Sequence, residues 1–161
     1  MIRASLGRLV LGLPRACAAP PVPPAIVGLP KGPGGARLVP EALDLINRAR
    51  GLAGLAALGF DPLVGAAALA HTEDMVRNGF MGHPGSAGGI SGDRLTAAGY
   101  AWSFAAENVA HGYGDAAGVV AGWMGSEGHR ENILSQARVA AVARAGPEDA
   151  AYWTAVFAAP L

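Results

Sequence analysis

The chain has 161 residues, 52% of them hydrophobic, and its twelve basic residues balance twelve acidic ones. Such a chain can bury one sizeable core, and its neutral balance gives no field that would attract nucleic acid or an anionic membrane. Cys17 is the sole cysteine and no apolar run is long enough to cross a bilayer, which excludes an intramolecular disulfide and a transmembrane segment. We expect a monomer without a nucleic-acid partner.

Residues 1–18 have the order of a secretory signal peptide. Arg3 and Arg8 precede a short apolar segment at 9–13, and 16–18 is a small-residue cleavage candidate. A disordered arm or a wrongly assigned start codon is the alternative. We therefore predict a secreted or periplasmic protein and leave a cytoplasmic location open.

Residues 19–37 form a predicted linker, because ten of these nineteen positions are Pro or Gly. Such a segment holds neither a helix nor an interior strand. The folded domain is therefore predicted to span 38–161.

Four helices are predicted before the His129 segment. The first begins at Pro40 and ends at Gly51; the second begins at Asp61-Pro62 and ends at Asn78. A short third helix is capped by Ser91 or Asp93, runs through Leu95 and stops before Gly99. Asp115 caps the fourth, where apolar residues recur with the helical period.

Strands are predicted at 100–110, 139–144 and 151–158. A turn at His111-Gly112 ends the first, and turn residues at 145–149 join the other two as a hairpin. Helices first, then strands with helices between them, indicate an α+β fold: a three-layer α/β/α sandwich around a small antiparallel sheet.

Three side chains stand out as candidates for a functional site. His83 lies in a Gly-rich loop, where a cleft-lining or exposed position is the simplest expectation. Glu107 lies between apolar neighbours, and burying its carboxylate requires a positive or protic partner. His129 follows Gly128, which permits a tight backbone turn. A solvated loop His, an edge-strand Glu and a helix-cap His are the alternatives.

The segment around His129 includes two further candidates and begins a short helix. Ser126 could cap this helix, and Glu127 is well placed against its N-terminal dipole. His71 and His111 are interpreted more simply, as a core or boundary residue and a turn residue. Trp123 and Trp153 are predicted core anchors.

These segments resemble the bacterial, cysteine-poor form of the CAP superfamily (SCP-like; cysteine-rich secretory proteins, antigen 5 and pathogenesis-related 1). Glu107-Asn108 is followed by two small apolar residues, and residues 123–134 read WMGSEGHRENIL. The family pattern there is Trp-x-x-Ser-Pro-Gly-His-Arg-x-Asn-Ile-Leu, so Glu127 replaces its Pro. The resemblance covers roughly 38–161 and implies a cleft lined by His83, Glu107, Asn108, Ser126, Glu127 and His129. Asn108 would make structural hydrogen bonds. Larger members add a second glutamate, whose place falls near Ser126.

Two imidazoles and one carboxylate suit Zn²⁺ or a similar divalent ion, so His83, His129 and Glu107 are the predicted metal ligands. The leading hypothesis is an exported, non-catalytic domain whose cleft binds a lipid, a cell-wall component or a protein. The first alternative is a metal-dependent hydrolase with Glu107 as ligand or general base. The second is an interaction module in which the three residues brace the cleft without metal. No catalytic residue is assigned under the leading hypothesis.

Overall fold

The computed structural model describes residues 35–161. The predicted signal peptide, residues 1–18, and the predicted linker as far as residue 34 lie outside the described residues. The sheet already includes Arg37, which the sequence analysis placed in the linker, because Arg37 pairs with Arg144.

The described residues form four β-strands and five α-helices. In chain order these are β1 (Arg37–Leu38), α1 (Pro40–Leu52), α2 (Pro62–Asn78), α3 (Ser91–Ala97), β2 (Trp102–His111), α4 (Ala116–Gly125), α5 (Glu127–Ile133), β3 (Val139–Ala145) and β4 (Tyr152–Pro160). A 3-10 turn, Glu148–Ala150, lies between β3 and β4.

The strands form one antiparallel sheet in the order β1-β3-β4-β2. The predicted hairpin of β3 and β4 is confirmed, and its turn uses Gly146 at φ 91°, a left-handed conformation that favours glycine. β2 lies at an edge of the sheet, with Glu107 opposite Val156 and Asn108 opposite Ala155.

Helices cover both faces of the sheet. Alternate residues of β4 point to opposite faces: Val156 joins the core beneath α2 and α3, whereas Phe157 joins the core beneath α1, α4 and α5. The three-layer α/β/α sandwich is therefore confirmed. Trp123 and Trp153 are 2% and 1% exposed, as expected of core anchors.

Side-chain caps fix the beginnings of two helices. Asp61 accepts hydrogen bonds from the backbone of α2, and Asp115 accepts one from the backbone of α4, as predicted. The predicted cap of α3 is wrong. Ile90 occupies the N-cap position, and the Asp93 carboxylate reaches back to accept from the Ile90 N–H at 2.8 Å. Asp93 lies inside the first turn, where a carboxylate also opposes the positive end of the helix dipole.

Candidate functional site

Glu107, in the middle of β2, is the centre of a cluster of charged and polar side chains. Its own side chain is only 3% exposed. His83 Nδ1 lies 3.0 Å from Oε1, and Arg94 Nη2 lies 2.7 Å from Oε2. His71 Nε2 is 3.7 Å from Oε1. The structure therefore brings His83 and Glu107 together and adds two partners from α2 and α3.

Arg94 supplies the positive charge that a buried carboxylate requires. It lies on α3, eleven residues after His83, and its side chain is 14% exposed. Arg94 was not predicted as a site residue, although a buried Glu107 was expected to need a positive or protic partner. An Arg on the short helix after the His83 loop was the available signal, since that loop and helix had to pack against the same cleft.

The loop between α2 and α3 is held by side chains on both sides. Arg94 Nη2 donates to the His83 carbonyl at 3.1 Å, and His71 Nε2 lies 2.8 Å from the Gly82 carbonyl oxygen. Further along, the Ser86 N–H donates to Asp74 at 2.7 Å. The His83 side chain remains 53% exposed, which confirms the expected cleft-lining or exposed position.

His71 is buried beneath this loop, with a side-chain exposure of 0%. The interpretation as a core or boundary histidine is confirmed, but the contact with the site was not predicted. A carbonyl oxygen only accepts, so His71 Nε2 must donate to Gly82. Burial, the largest cause, lowers the pKa of His71; the carboxylate of Glu107 opposes this effect and the guanidinium of Arg94 adds to it.

Two side chains from the His129 segment bind the outer edge of β2. Trp123 Nε1 donates to the Val109 carbonyl at 3.3 Å, and Asn132 Nδ2 donates to the Glu107 carbonyl at 3.1 Å. These carbonyls are two residues apart and therefore face the same side of the strand. The contacts fix the position of α4 and α5 relative to the strand that carries Glu107.

Asn108 completes the connection to α5. Its amide donates to the His129 carbonyl at 2.9 Å and accepts from Asn132 Nδ2 at 2.9 Å. The structural role expected for Asn108 is therefore confirmed. Asn132 was part of the family pattern but was given no role, because nothing local in the sequence shows which carbonyl its amide reaches.

His129 is partly exposed on α5 and lies close enough to His83 to interact electrostatically. Burial is the main cause of its lowered pKa, and the nearby His83 lowers the pKa further. Ser126 occupies the N-cap position of α5, as predicted, but its side chain makes no capping hydrogen bond. Glu127 is exposed in the first turn, where its negative charge interacts favourably with the positive end of the helix dipole.

His111 lies at the end of β2 and not in the turn that was predicted for it. The turn begins one residue later, at Gly112, whose φ is 85°. The His111 ring lies 4.2 Å from that of Tyr152, the residue directly opposite it on β4.

The predicted metal ligands do not form a ready-made metal centre. Among residues 35–161, no group of three or more His, Cys, Asp or Glu side chains is arranged to hold a metal ion. Both oxygens of Glu107 are already engaged, by His83 and Arg94. The arrangement does not fit a three-ligand metal centre, and Zn²⁺ binding stays a prediction.

The arrangement does orient one exposed imidazole. A carboxylate oxygen accepts only, so the His83 Nδ1–H donates a hydrogen bond to Glu107. In the neutral imidazole, Nε2 then carries a lone pair that can accept a proton or a hydrogen bond. Behind the ring, the guanidinium of Arg94 balances the charge of Glu107.

Curated relatives match part of the chain. It is 38% identical over 95 residues to the uncharacterized membrane protein YlbC of Bacillus subtilis, a match that covers 59% of this chain and 28% of YlbC. It is 34% identical over 95 residues to the uncharacterized protein YkwD of the same organism, which covers 59% of this chain and 37% of YkwD. The chain thus spans well under half the length of either relative.

Solved structures share the fold. An extracellular protein containing a SCP domain from Bacillus anthracis is 32% identical, with a TM-score of 0.67, over 74% of this chain and 39% of that chain. An outer surface protein of Borrelia burgdorferi has a TM-score of 0.70 over 78% of this chain and 99% of its own. At 16% identity, that second likeness concerns the fold alone.

The match to a family model covers most of the described residues. Within residues 35–161, no helix combines the length and apolarity needed to cross a lipid bilayer. The model of the CAP family, described as the cysteine-rich secretory protein family, matches residues 43–157. Because this match agrees with the sandwich fold and with the order of the site segments, the chain belongs to the CAP (cysteine-rich secretory protein) family.

Proposed function

We propose that this chain is an exported CAP domain whose cleft, formed by His83, Glu107 and His129, binds a ligand outside the cytoplasm. The order of residues 1–18 supports export, as does the similarity to an extracellular SCP-domain protein. The chain spans 39% of that protein, so the proposal concerns the domain and its cleft.

The observation that carries the proposal is the exposed imidazole backed by a buried carboxylate. The His83 side chain is 53% exposed, whereas that of Glu107 is 3% exposed, and their contact is 3.0 Å. A carboxylate that fixes one ring nitrogen orients the other toward solvent. Such a ring accepts a hydrogen bond from a hydroxyl or amide group of a ligand.

The polar groups at the cleft favour one of the three ligand classes. The Glu107–Arg94 pair carries no net charge, and His83 and His129 add hydrogen-bonding rings. A cell-wall component rich in hydroxyl and amide groups matches this chemistry better than an acyl chain does. Binding to lipid is the other outcome that the cosedimentation experiment distinguishes.

The test is cosedimentation of the purified chain with isolated peptidoglycan, with phosphatidylglycerol vesicles as the lipid arm. We expect binding to peptidoglycan that His83→Ala weakens by about tenfold or more. His111→Ala is the matched control, because His111 is also an exposed histidine but lies at the end of β2. Equal binding by wild type and His83→Ala would contradict the proposed cleft, and binding only to vesicles would contradict the ligand class.

A hydrolase remains the second candidate, and the contact between His83 and Glu107 favours it. A carboxylate-oriented imidazole is the arrangement of a general base, so His83, and not Glu107, is the better candidate to activate a water molecule. Turnover of peptidoglycan, ester or peptide substrates that disappears in both His83→Ala and Glu107→Gln would support this candidate. If the protein binds peptidoglycan without turnover, binding is the only one of the two functions that stays supported.

Zinc titration of tag-free protein tests the metal prediction separately. About one equivalent of bound Zn²⁺ that is lost in both His83→Ala and His129→Ala would support it. The same affinity in wild type and both variants would place the ion elsewhere and contradict these ligands.

A further inference from the structure

A cavity lies next to the Glu107 cluster, between α2, the following loop and α3. Its volume is about 240 Å³, and its wall includes His71 and Asp74 from α2, Ser86 from the loop and Arg94 from α3. His83, Glu107 and His129 do not line it. The cavity is therefore distinct from the proposed ligand cleft, although Arg94 borders both.

Two of the wall residues each carry a buried polar atom without a hydrogen-bond partner among residues 35–161. These atoms are His71 Nδ1 and Arg94 Nε. A buried polar atom left unpaired costs about 1–3 kcal/mol, so two such atoms in residues that line one cavity need a partner. The His71 side chain is 0% exposed.

The chemistry of the two atoms is complementary. His71 Nε2 must donate to the Gly82 carbonyl, 2.8 Å away, so Nδ1 of the neutral ring is an acceptor. Burial lowers the pKa of His71, which favours that neutral ring. Arg94 Nε always carries a hydrogen and is a donor. His71 Nδ1 therefore needs a hydrogen-bond donor, and Arg94 Nε needs an acceptor. Two adjacent hydroxyl groups of one ligand supply both.

The charges at the wall and the volume of the cavity further restrict the class of ligand that it can accept. Arg94 is already paired with Glu107, and Asp74 adds a negative charge to the wall, so an anion is disfavoured. Burial alone would raise the pKa of Asp74, but hydrogen bonds from Ser86 and Asn78 outweigh it and lower the pKa. A water molecule takes about 30 Å³ in the liquid, so a cavity of about 240 Å³ has room for more than one water.

We propose that this cavity is a binding site for a small uncharged polyol or sugar residue, whose adjacent hydroxyl groups pair with His71 Nδ1 and Arg94 Nε. Both atoms are shielded from solvent, so entry of the ligand displaces part of the exposed loop 85–88. Gly88, at φ 85°, gives this loop backbone freedom that other residues lack. The site is independent of the proposed cleft function.

Nuclear magnetic resonance titration of the whole chain tests the site, with glycerol and glucose as probes and inorganic phosphate as the anion. We expect saturable shifts of the His71 ring and the Arg94 Nε–H with glucose or glycerol. Ala70→Leu, which places a larger side chain at the cavity wall, should weaken this binding by about tenfold or more. Ala66→Leu is the matched control, one turn earlier on α2, exposed and outside the wall.

A second blocking variant, Ala87→Leu on the opposing loop, gives the same result if the site is real. His83→Ala should leave glucose binding unchanged, which separates this site from the cleft. The proposal is overturned by an absence of saturable shifts with either polyol, by binding in both blocking variants equal to that of the wild type, or by tighter binding of phosphate than of glucose.

Discussion

The guanidinium of Arg94 lies 2.7 Å from the carboxylate of Glu107, whose side chain is 3% exposed. The same guanidinium donates to the His83 carbonyl. One side chain thus balances the buried charge and holds the loop that presents the exposed imidazole. Stability and site geometry should therefore be coupled in this molecule.

Replacing Arg94 should reveal this coupling. Arg94→Met leaves the Glu107 charge buried without a cation, which we expect to lower the free energy of unfolding by about 3–5 kcal/mol. Urea unfolding at neutral pH measures the loss. The double variant Arg94→Met/Glu107→Gln removes the charge as well and should recover much of it. A single variant that loses less than about 1 kcal/mol would show that the pair does not stabilise the fold.

Asn132 should matter more than its position on a short helix suggests. Asn132→Ala removes two hydrogen bonds, to the Glu107 carbonyl and to Asn108, and we expect a loss of about 1–3 kcal/mol. The ring resonances of His129 should shift, because α5 loses its attachment to β2. Asn78→Ala is the control: Asn78 is exposed and its side chain bonds only within α2, so its loss should stay within about 0.5 kcal/mol. Equal losses in the two variants would contradict the proposed attachment.

Acid should weaken the fold through two histidines. His71 and His129 have pKa values lowered from 6.5, mainly by burial. Below pH 6.5 the unfolded chain therefore binds more protons at these positions than the folded chain. The free energy of unfolding consequently decreases as the pH is lowered. Urea midpoints at about pH 7.5 and 5.5 should show this decline. His71→Gln, which keeps a donor for Gly82 but does not titrate, should make it shallower; an unchanged pH dependence would argue against the buried neutral ring.

Gly92 lies where α3 packs closely against Trp102 of β2. A Cβ built at Gly92 would lie 2.6 Å from the Trp102 ring, so Gly92→Ala must push that ring or α3 aside. We expect a loss of about 1–3 kcal/mol and a shifted Trp102 indole resonance. Gly125→Ala is the control, because a Cβ at this helical residue meets nothing within 4 Å. That change should be neutral or stabilise by up to about 1 kcal/mol, and equal losses in both would contradict the packing argument.

The sequence predicted those parts of the fold that are determined locally. Asp61-Pro62 and Asp115 fixed the starts of α2 and α4 because caps act within three residues. β1 was missed because a strand of two residues shows no alternation, and its pairing with β3 lies more than a hundred residues away. The α3 cap failed because Asp93 reaches backward, and no local rule separates that from capping the next turn.

The site was predictable only in part. Glu107 and His83 were named together through the family resemblance, and their contact at 3.0 Å agrees with it. Arg94 and the buried side of His71 were missed, because their roles depend on which atoms meet after the loop folds over α2. The hydrogen bonds of Asn132 reach residues 24 and 25 positions earlier on β2, and such long-range contacts produce no periodic pattern in the sequence.

β2 is an edge strand, and such strands recruit other chains when their backbone groups are free. The carbonyl groups of Glu107 and Val109 accept hydrogen bonds from the side chains of Asn132 and Trp123. Another strand could pair with this part of β2 only after α4 and α5 were displaced. The contacts that position the His129 helix therefore also hinder β2, the strand that carries Glu107, from pairing with a strand of another chain.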